Sequence, residues 1–426
     1  MQIIAQIIFI LLLIIAIYFF VRSIKQIRNN IFLGRKLKMD TSTRFRLTNM
    51  TRVALGQSKM LIKPVAGFFH ILIYIGFVLI NIEVLEIIID GITGKHRIFQ
   101  SILGTIYPIA IGFFEILAFL VLTACIVFIF RRDVIKLKRL NSSDMQGWPK
   151  LDARYILLIE IFLMLALLIM NATDNQLIAA DSMPISSFLR PLFSGFSASS
   201  LALIERTAWW VHIIGIMLFL NYVPFSKHLH IFLAFPNTYY ADQKPKGTFS
   251  NNEAITTEVK LMLDPSAVVP ENYEPPSSFG AKDVTDLSWK NLMNAYACTE
   301  CGRCTTACPA NITGKLLSPR KIMMDTRDRA EELGAFLNLN KQEKTDGKSL
   351  HDKISAEELW ACTSCNACVE ACPIEINPLD IILQMRQYKV MEETNAPAGI
   401  NNMLANLENN GAPWQFSAME RAKWAE

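Results

Sequence analysis

The run Cys298-Thr-Glu-Cys301-Gly-Arg-Cys304-Thr-Thr-Ala-Cys308-Pro309 returns as Cys362-Thr-Ser-Cys365-Asn-Ala-Cys368-Val-Glu-Ala-Cys372-Pro373. Each copy reads C-x2-C-x2-C-x3-C-P, a thiolate spacing that holds a [4Fe-4S] cluster. The three closely spaced thiolates wrap one cubane, and the fourth, just before Pro, turns away and serves the other cluster. Cys298, Cys301, Cys304 and Cys372 are therefore expected to hold one cluster, and Cys362, Cys365, Cys368 and Cys308 the second. Crosswise ligation sets the clusters roughly 10–12 Å apart. A zinc site wants four ligands in two pairs, not two four-Cys runs each ending in Pro. Disulfides need an oxidising compartment, and the loop charges described below put this segment in the cytoplasm. A pair of clusters conducts electrons rather than catalysing.

Histidines within apolar runs are the second signal. Haem b in a helical packing is held by two neutral imidazoles from facing helices. His212 and His230 lie 18 residues apart on the last apolar run. That is five turns, so they share a face about 27 Å apart along the axis. His228 is rotated by roughly 160° from them and suits less well. His70 starts its own run at the depth of His230, and these two are the expected haem pair. At the depth of His212 the second run offers only Ile80 or Asn81. His212 is left for a second haem, with His96 as partner, or for a quinone pocket. Glu83, Glu86, Glu115 and Glu160 also fall within apolar runs, where charges are costly and face a pathway or a partner. Glu83, Glu86 and Asp90, with Glu205 and Arg206, read either as a proton relay from a quinol to the outside or as interfacial caps and ion pairs.

These residues need a membrane scaffold. The chain has 426 residues, 52% of them hydrophobic, concentrated in its first half. Five apolar stretches, 3–21, 65–89, 106–130, 155–170 and 209–235, approach or exceed the roughly 20 residues a bilayer needs. The first lacks the basic start and small-residue cleavage site of a signal peptide, so it reads as a retained anchor. Lys and Arg cluster after the first and third stretches and are sparse after the second and fourth. The positive-inside rule then sets the N-terminus outside and everything after the fifth stretch in the cytoplasm. Trp209 and Trp210 read as an aromatic belt at the outer interface. Topology accounts for the basic clusters, so nucleic acid is not needed as a partner. Cys125 reads as a buried inert thiol.

The expected fold is all-α. A five-helix transmembrane bundle occupies 1–235, an extended linker 236–286, a helical two-cluster domain 287–395, and a partner-docking tail 396–426. Lys244-Pro-Lys-Gly-Thr and Pro275-Pro276-Ser-Ser are loop signals within the linker. In the cluster domain, helical spacing runs over 288–297 and Ser318-Pro319 opens a helix. Ser355 with Glu358 makes a capping box, Asn377-Pro378 opens another helix, and His351 is expected at the surface.

Val223-Pro-Phe-Ser-Lys227-His228-Leu-His230-Ile, with Phe235-Pro-Asn237 after it, resembles the last transmembrane helix of the nitrate reductase gamma-subunit-like cytochrome b family. Asp286-Leu-Ser-Trp289-Lys, Ala297-Cys-Thr-Glu-Cys-Gly-Arg-Cys-Thr, Cys308-Pro-Ala-Asn311-Ile-Thr-Gly-Lys315-Leu-Leu-Ser-Pro319 and Leu359-Trp360-Ala-Cys362-Thr-Ser-Cys365 are similar to membrane iron–sulfur oxidoreductases related to heterodisulfide reductase. The resemblance implies a cytochrome b domain fused to a two-cluster ferredoxin domain, exchanging electrons with the quinone pool at the inner membrane. Its haem histidines carry over to His70, His212 and His230, while a further second-span histidine is replaced by Ile80. Longer relatives continue past Ala412-Pro-Trp414 into a domain with Cys-Cys-Gly motifs, which this sequence lacks. The expectation is an electron-transfer subunit whose catalytic domain sits on a separate cytoplasmic iron–sulfur or flavin chain. The competing reading is a haem-free membrane anchor or redox-sensing module. No repeat or broken-helix pair points to a transporter.

Overall fold

The protein is described by a computed structural model covering residues 2–37, 39, 41–180, 183–242, 247–249, 253–268, 278–420 and 422–426. Among these residues the regular elements are helices, and the only bridge is Arg35 with Ser288. The first half holds α1 (Gln2–Ile31), α2 (Thr43–Met50), α3 (Pro64–Thr93), α4 (Ile98–Leu103), α5 (Tyr107–Ile129), α6 (Trp148–Thr173), α7 (Asn175–Ala180), α8 (Ala198–Tyr222) and α9 (His230–Tyr239). The second holds α10 (Glu253–Leu263), α11 (Trp289–Ala297), α12 (Arg303–Ala307), α13 (Pro309–Ile312), α14 (Pro319–Leu339), α15 (Ala356–Trp360), α16 (Ala367–Glu370), α17 (Pro378–Met391) and α18 (Ala398–Asn410).

Five helices are long and apolar enough to cross a membrane: α1, α3, α5, α6 and α8. Backbone groups in a bilayer must pair internally, which leaves helices as the solution for such stretches. They pack as a ring, α3 on α5, α5 on α6, α6 on α8, with α1 closing it against α8 and α3. Phe9, Ile80, Leu117, Val121, Leu163, Leu167 and Ile213 fill the interior, while Ile3, Ile7, Leu11 and Ile14 of α1 face outward. Gly76 permits the close approach of α3 to α5, since a Cβ there would overlap the Val121 side chain.

The cluster domain packs α11, α14 and α17 around Leu292, Ile322, Leu333, Ile381 and Met385. Its helices start where the caps predict. Ser288, Ser318, Ser355 and Asn377 each accept a hydrogen bond from the backbone N–H three residues on, which satisfies an orphan donor of the first turn. Ile27 and Ile31 of α1 join this core; burying a side chain of that size contributes about 1.5–3 kcal/mol. Asn30 donates to the Tyr296 hydroxyl at 3.0 Å. The Arg35 N–H donates to Leu287 O at 2.7 Å, and Trp289 N–H donates back to Arg35 O at 3.0 Å. One helix thus runs through the apolar bundle and into the second core.

Several expectations are corrected. The fifth stretch is not one helix to residue 235. Helix α8 begins at Ala198, ends at Tyr222, and gives way to short 3-10 turns before α9 starts at His230. Pro224 cannot continue the backbone ladder, and Ser226 is extended (φ −125°, ψ 165°) with its Oγ accepting from His228 N–H. His212 and His230 therefore do not share a helix face. Trp209 is not in an interfacial belt: it is 4% exposed and packs on Phe9, because α8 starts three turns earlier than its apolar run. Part of the linker is helical rather than extended, in α10. Lys244, Pro245, Lys246, Pro275, Pro276 and Ser277 lie outside the described residues. His351 is only half exposed, its Nε2 3.2 Å from Ala281 O and its ring on Tyr388.

Candidate redox centres

The cysteine-bearing loops repeat one backbone design. Glu300 and Ser364 have φ of 54° and 56°, and Gly302 and Asn366 have φ of 72° and 61°. These left-handed turns curl each loop so that the N–H two residues after its first cysteine donates to that thiol, Glu300 N to Cys298 Sγ and Ser364 N to Cys362 Sγ, each at 3.4 Å. Successive inward N–H groups form an anion-binding concavity. The cysteine spacing alone does not show this pairing of left-handed positions; Gly302 and Asn366 at the same place in both copies are its signal in the sequence.

Cys298, Cys301, Cys304 and Cys372 line one cavity with Arg303, Arg320 and Ile374. Cys308, Cys362, Cys365 and Cys368 line a second with Leu317, Pro319 and Leu379. Helix α12, which leads from the first loop to Cys308, packs on α16, which leads from the second to Cys372, and this crosses the fourth cysteines over. Burial pushes the Cys298 and Cys368 thiols up to about 12 and Cys372 up to about 11. Thiols crowded around an apolar cavity suit ligation, where a metal carries the compensating charge.

The two cavities differ in surroundings. The first faces the apolar bundle. Arg303 donates to Lys59 O at 3.3 Å, just before α3. Arg139 donates to Cys301 O at 2.6 Å from the loop after α5. Lys59 pairs with Glu375 at 3.1 Å. Buried Arg320 ties the same loop to Asp144, at 2.6 Å, and to Arg139 O. The second lies away from the bundle and its loop reaches solvent at exposed Cys365. There Arg386 donates to the carbonyls of Leu359 and Cys362 and lies over Trp360 at 5.1 Å.

A continuous set of contacts leads from the first cavity to the histidines. The Glu300 carboxylate bonds Lys227 Nζ, and Arg327 at 2.9 Å. Burial alone would raise the Glu300 carboxyl; the Lys227 and Arg327 charges outweigh it and hold it below the usual carboxylate range. Lys227 O accepts from His230 Nδ1 at 2.8 Å. That bond fixes the tautomer and leaves Nε2 with its lone pair. The His230 ring lies 6.3 Å from the His70 ring, centroid to centroid. Against expectation, His228 is also brought close, 5.8 Å from His230, because the break after Tyr222 rotates it inward; its ring packs edge-on to Phe219 at 5.3 Å.

His96 and His212 are not brought together. His212 is buried (1% exposed) on α8 with Nδ1 2.9 Å from Leu163 O. His96 lies in the loop at the far end of the bundle, 3.1 Å from Asp174 and 3.5 Å from Arg206. Arg206 is about 9 Å along the helix from His212 at 1.5 Å per residue, too far for one metal to span. Glu115 accepts from Ile185 N and Ser186 N at 3.1 Å each, while Glu160 is buried near Cys125.

Residues 290–373 match the 4Fe-4S dicluster domain model, and residues 361–388 a 4Fe-4S binding domain model. The chain is 30% identical to the probable iron–sulfur-binding oxidoreductase FadF of Bacillus subtilis, over 96% of this chain and 59% of that protein. It is 30% identical to the EtfAB:quinone oxidoreductase of Syntrophomonas wolfei, over 87% of this chain and 52% of that protein. It is 29% identical to an iron–sulfur subunit of the CoB–CoM heterodisulfide reductase of Methanopyrus kandleri, over 23% of this chain and 40% of that protein. The chain spans between half and three fifths of the length of the first two relatives. No solved structure matches it. The chain is thus related to iron–sulfur oxidoreductases, the iron–sulfur subunits of heterodisulfide reductase among them, and carries 4Fe-4S domains.

Proposed function

For a chain related to iron–sulfur oxidoreductases, we propose a membrane electron-transfer role between a cytoplasmic oxidoreductase partner and the quinone pool. The observation that carries this is the run of contacts from the first thiol set through Glu300 and Lys227 to His230, which faces His70. In this reading the two Cys sets hold [4Fe-4S] clusters and His70 with His230 holds haem b, and these groups supply the one-electron carriers.

The residues fit such groups. His70 and His230 would hold the haem iron through one ring nitrogen each, and the group would supply a one-electron carrier there. The separation of His70 and His230 is 6.3 Å. His230 donates from Nδ1 to a backbone carbonyl, as ligating histidines do. His228, edge-on to Phe219, is better suited to packing the pair than to replacing a member.

Position sets the order. The exposed loop of Cys365 is the entry for a partner, and the bundle-facing set of Cys298, Cys301, Cys304 and Cys372 is the step next to the histidines. Arg139, Arg303 and Arg320 surround that second step and favour the more negative, reduced state there. The Lys and Arg of the loops after α1 and α5 favour the cytoplasm for this end of the bundle. The name EtfAB:quinone oxidoreductase couples EtfAB to a quinone, which supports a flavoprotein partner on one side and a quinone on the other.

The test is a dithionite-reduced minus oxidised visible spectrum of the purified chain, with haem, iron and sulfide quantified on the same sample. The expected result is one haem b with about eight non-haem irons. Irons without haem would overturn the quinone-linked role and leave the anchor or sensor reading.

A further inference from the structure

Lys290 is a cation buried without an anion. It lies in the first turn of α11 and is 7% exposed. Its Nζ donates to the side-chain oxygens of Asn237 at 2.8 Å and Asn294 at 2.5 Å. Among the described residues, no carboxylate stands within ion-pair distance of it. Two acids lie near enough for Lys290 to feel their charge, Glu375 and Asp242. Glu375 is already held by Lys59 at 3.1 Å and by Asn49 at 2.7 Å, and Asp242 is exposed. The fully buried arginines of the cluster domain are placed differently. Arg320 has Asp144, and Arg329 has Asp283 and Asp346. An ammonium taken out of water costs more than two neutral amide partners offset, so the site calls for a further negative charge.

The first thiol set stands beside it. Asn237, which accepts from Lys290, donates in turn to Ile374 O at 2.8 Å. Ile374 lines the first cavity, two residues after Cys372. Burial lowers the Lys290 ammonium to about 7, and Cys372 is foremost among the charges that resist the fall. Four thiolates around a [4Fe-4S] core leave the group net negative when oxidised and more so when reduced, and net charge is one of the terms that set its potential.

The second loop is built differently at the matching place. Helices α11 and α15 lead into the two loops, and each opens on a capping box, Ser288 with Asn291 and Ser355 with Glu358. Two residues past the cap stands Lys290 in one helix and Glu357 in the other. Lys290 is buried and Glu357 is exposed. Arg386 serves the second loop, but it is half-buried over Trp360, where solvent weakens its charge.

We propose that Lys290 is the buried counter-ion of the first cluster and holds an electron there in preference to the second. This rests on the assignment of [4Fe-4S] clusters to the two thiol sets and adds which of them rests reduced. A fixed positive charge in a poorly screened interior favours the more negative state of the group it faces. The step is a one-electron transfer: the second set is oxidised as the first is reduced, no bond to a proton breaks, and the electron comes from the partner's reductant. The electron therefore passes the exposed Cys365 loop and stays on the bundle-facing side. The set that solvent reaches is left oxidised, ready to accept again.

The experiment is a redox titration of the purified full chain in detergent, followed by electron paramagnetic resonance. The first cluster's signal is identified as the one that Cys298→Ser removes. In wild type that signal is expected to appear first. Lys290→Met and Lys290→Gln both remove the charge, while Gln keeps a donor for Asn237 and Asn294. Both should move the electron toward the second cluster at least tenfold, a fall of about 59 mV in the first midpoint per tenfold. Iron content and the second midpoint should stay unchanged. A shift in the Met variant without one in the Gln variant would make Lys290 a packing or hydrogen-bonding residue and overturn the proposal. A wild type whose first electron appears in the signal that Cys362→Ser removes would overturn it too, and this order of reduction decides the matter if neither variant loads iron. A wild-type spectrum without two cluster signals would instead overturn the cluster assignment, and the proposal with it.

Discussion

Replacing Arg320 by Met removes one of the ties between the first cluster loop and the apolar half of the chain. Arg320 is fully buried, and its guanidinium bonds Asp144 Oδ1 and Oδ2 at 2.6 and 3.1 Å, Ser142 Oγ at 2.6 Å and Arg139 O at 2.6 Å. Burial alone would raise the Asp144 carboxyl, yet Arg320 with Ser142 and Ser318 holds it below its ordinary value. Arg320→Met leaves that carboxylate, whose side chain is 9% exposed, with two hydroxyls in place of an ion pair. Breaking a buried pair on one side costs about 3–5 kcal/mol. Removing both partners, as in Arg320→Met with Asp144→Leu, strands no charge and should recover most of the loss. The assay is guanidinium denaturation in detergent micelles followed by cluster absorbance, with hydrogen exchange read over residues 138–145 and 299–305. The single variant is expected to lose protection in both segments together, because Arg320 bonds Arg139 O and Asp144 in one and the Glu300 carbonyl in the other. A cost under about 1 kcal/mol, or a double variant no better than the single, would refute the reasoning.

Three further outcomes are expected. Cys372→Ser should remove the same electron-paramagnetic signal as Cys298→Ser and not that removed by Cys362→Ser, with iron falling from about eight to about four per chain; the reverse grouping would undo the crosswise assignment. His70→Leu and His230→Leu should each abolish the haem spectrum, whereas His228→Leu should keep it with altered band positions, checked by pyridine-extract haem counts. Asp346 is lowered from 3.8 to about 2 by its bond to Arg329 at 2.6 Å. The folded state therefore holds this carboxylate more strongly than the unfolded state does. The stability it adds is full above about pH 4 and is lost as pH falls toward about 2. Asp346→Asn should lower the guanidinium midpoint at pH 7, and its difference from wild type should shrink over that acid window.

The parts of the fold that depend on neighbours in sequence were legible. Ser318, Ser355 and Asn377 cap the helices they announce, since a cap is decided within four residues. The five long apolar helices follow from apolar length. Their ends were less legible, because hydropathy reports solvent preference and not backbone geometry. The run from 209 to 235 looks continuous, yet Pro224 and extended Ser226 divide it, which is why helical spacing parts His228 from His230 and the folded chain joins them. The ends of α1 mislead in the other direction. Arg22, Lys25 and Arg28 suggest a close to the first span, but Ile24, Ile27 and Ile31 keep helical spacing and continue it into the second core. Bonds such as Arg320 to Asp144, 176 positions apart, have no local signature at all.

The linker between the halves is long enough for the cluster domain to swing, as a pendulum would, between a docking partner and the membrane. The shared helix α1 forbids it. Asn30 sits against Gly334 so closely that an added Cβ would overlap its side-chain amide, and the Arg35 bridge clamps the next turn. The gap between the bundle-facing cysteines and His70 is thus a fixed length of protein rather than the outcome of a search. Electron passage across it should not depend on solvent viscosity, and any step in turnover that thickening the medium does slow must be the arrival or departure of the partner.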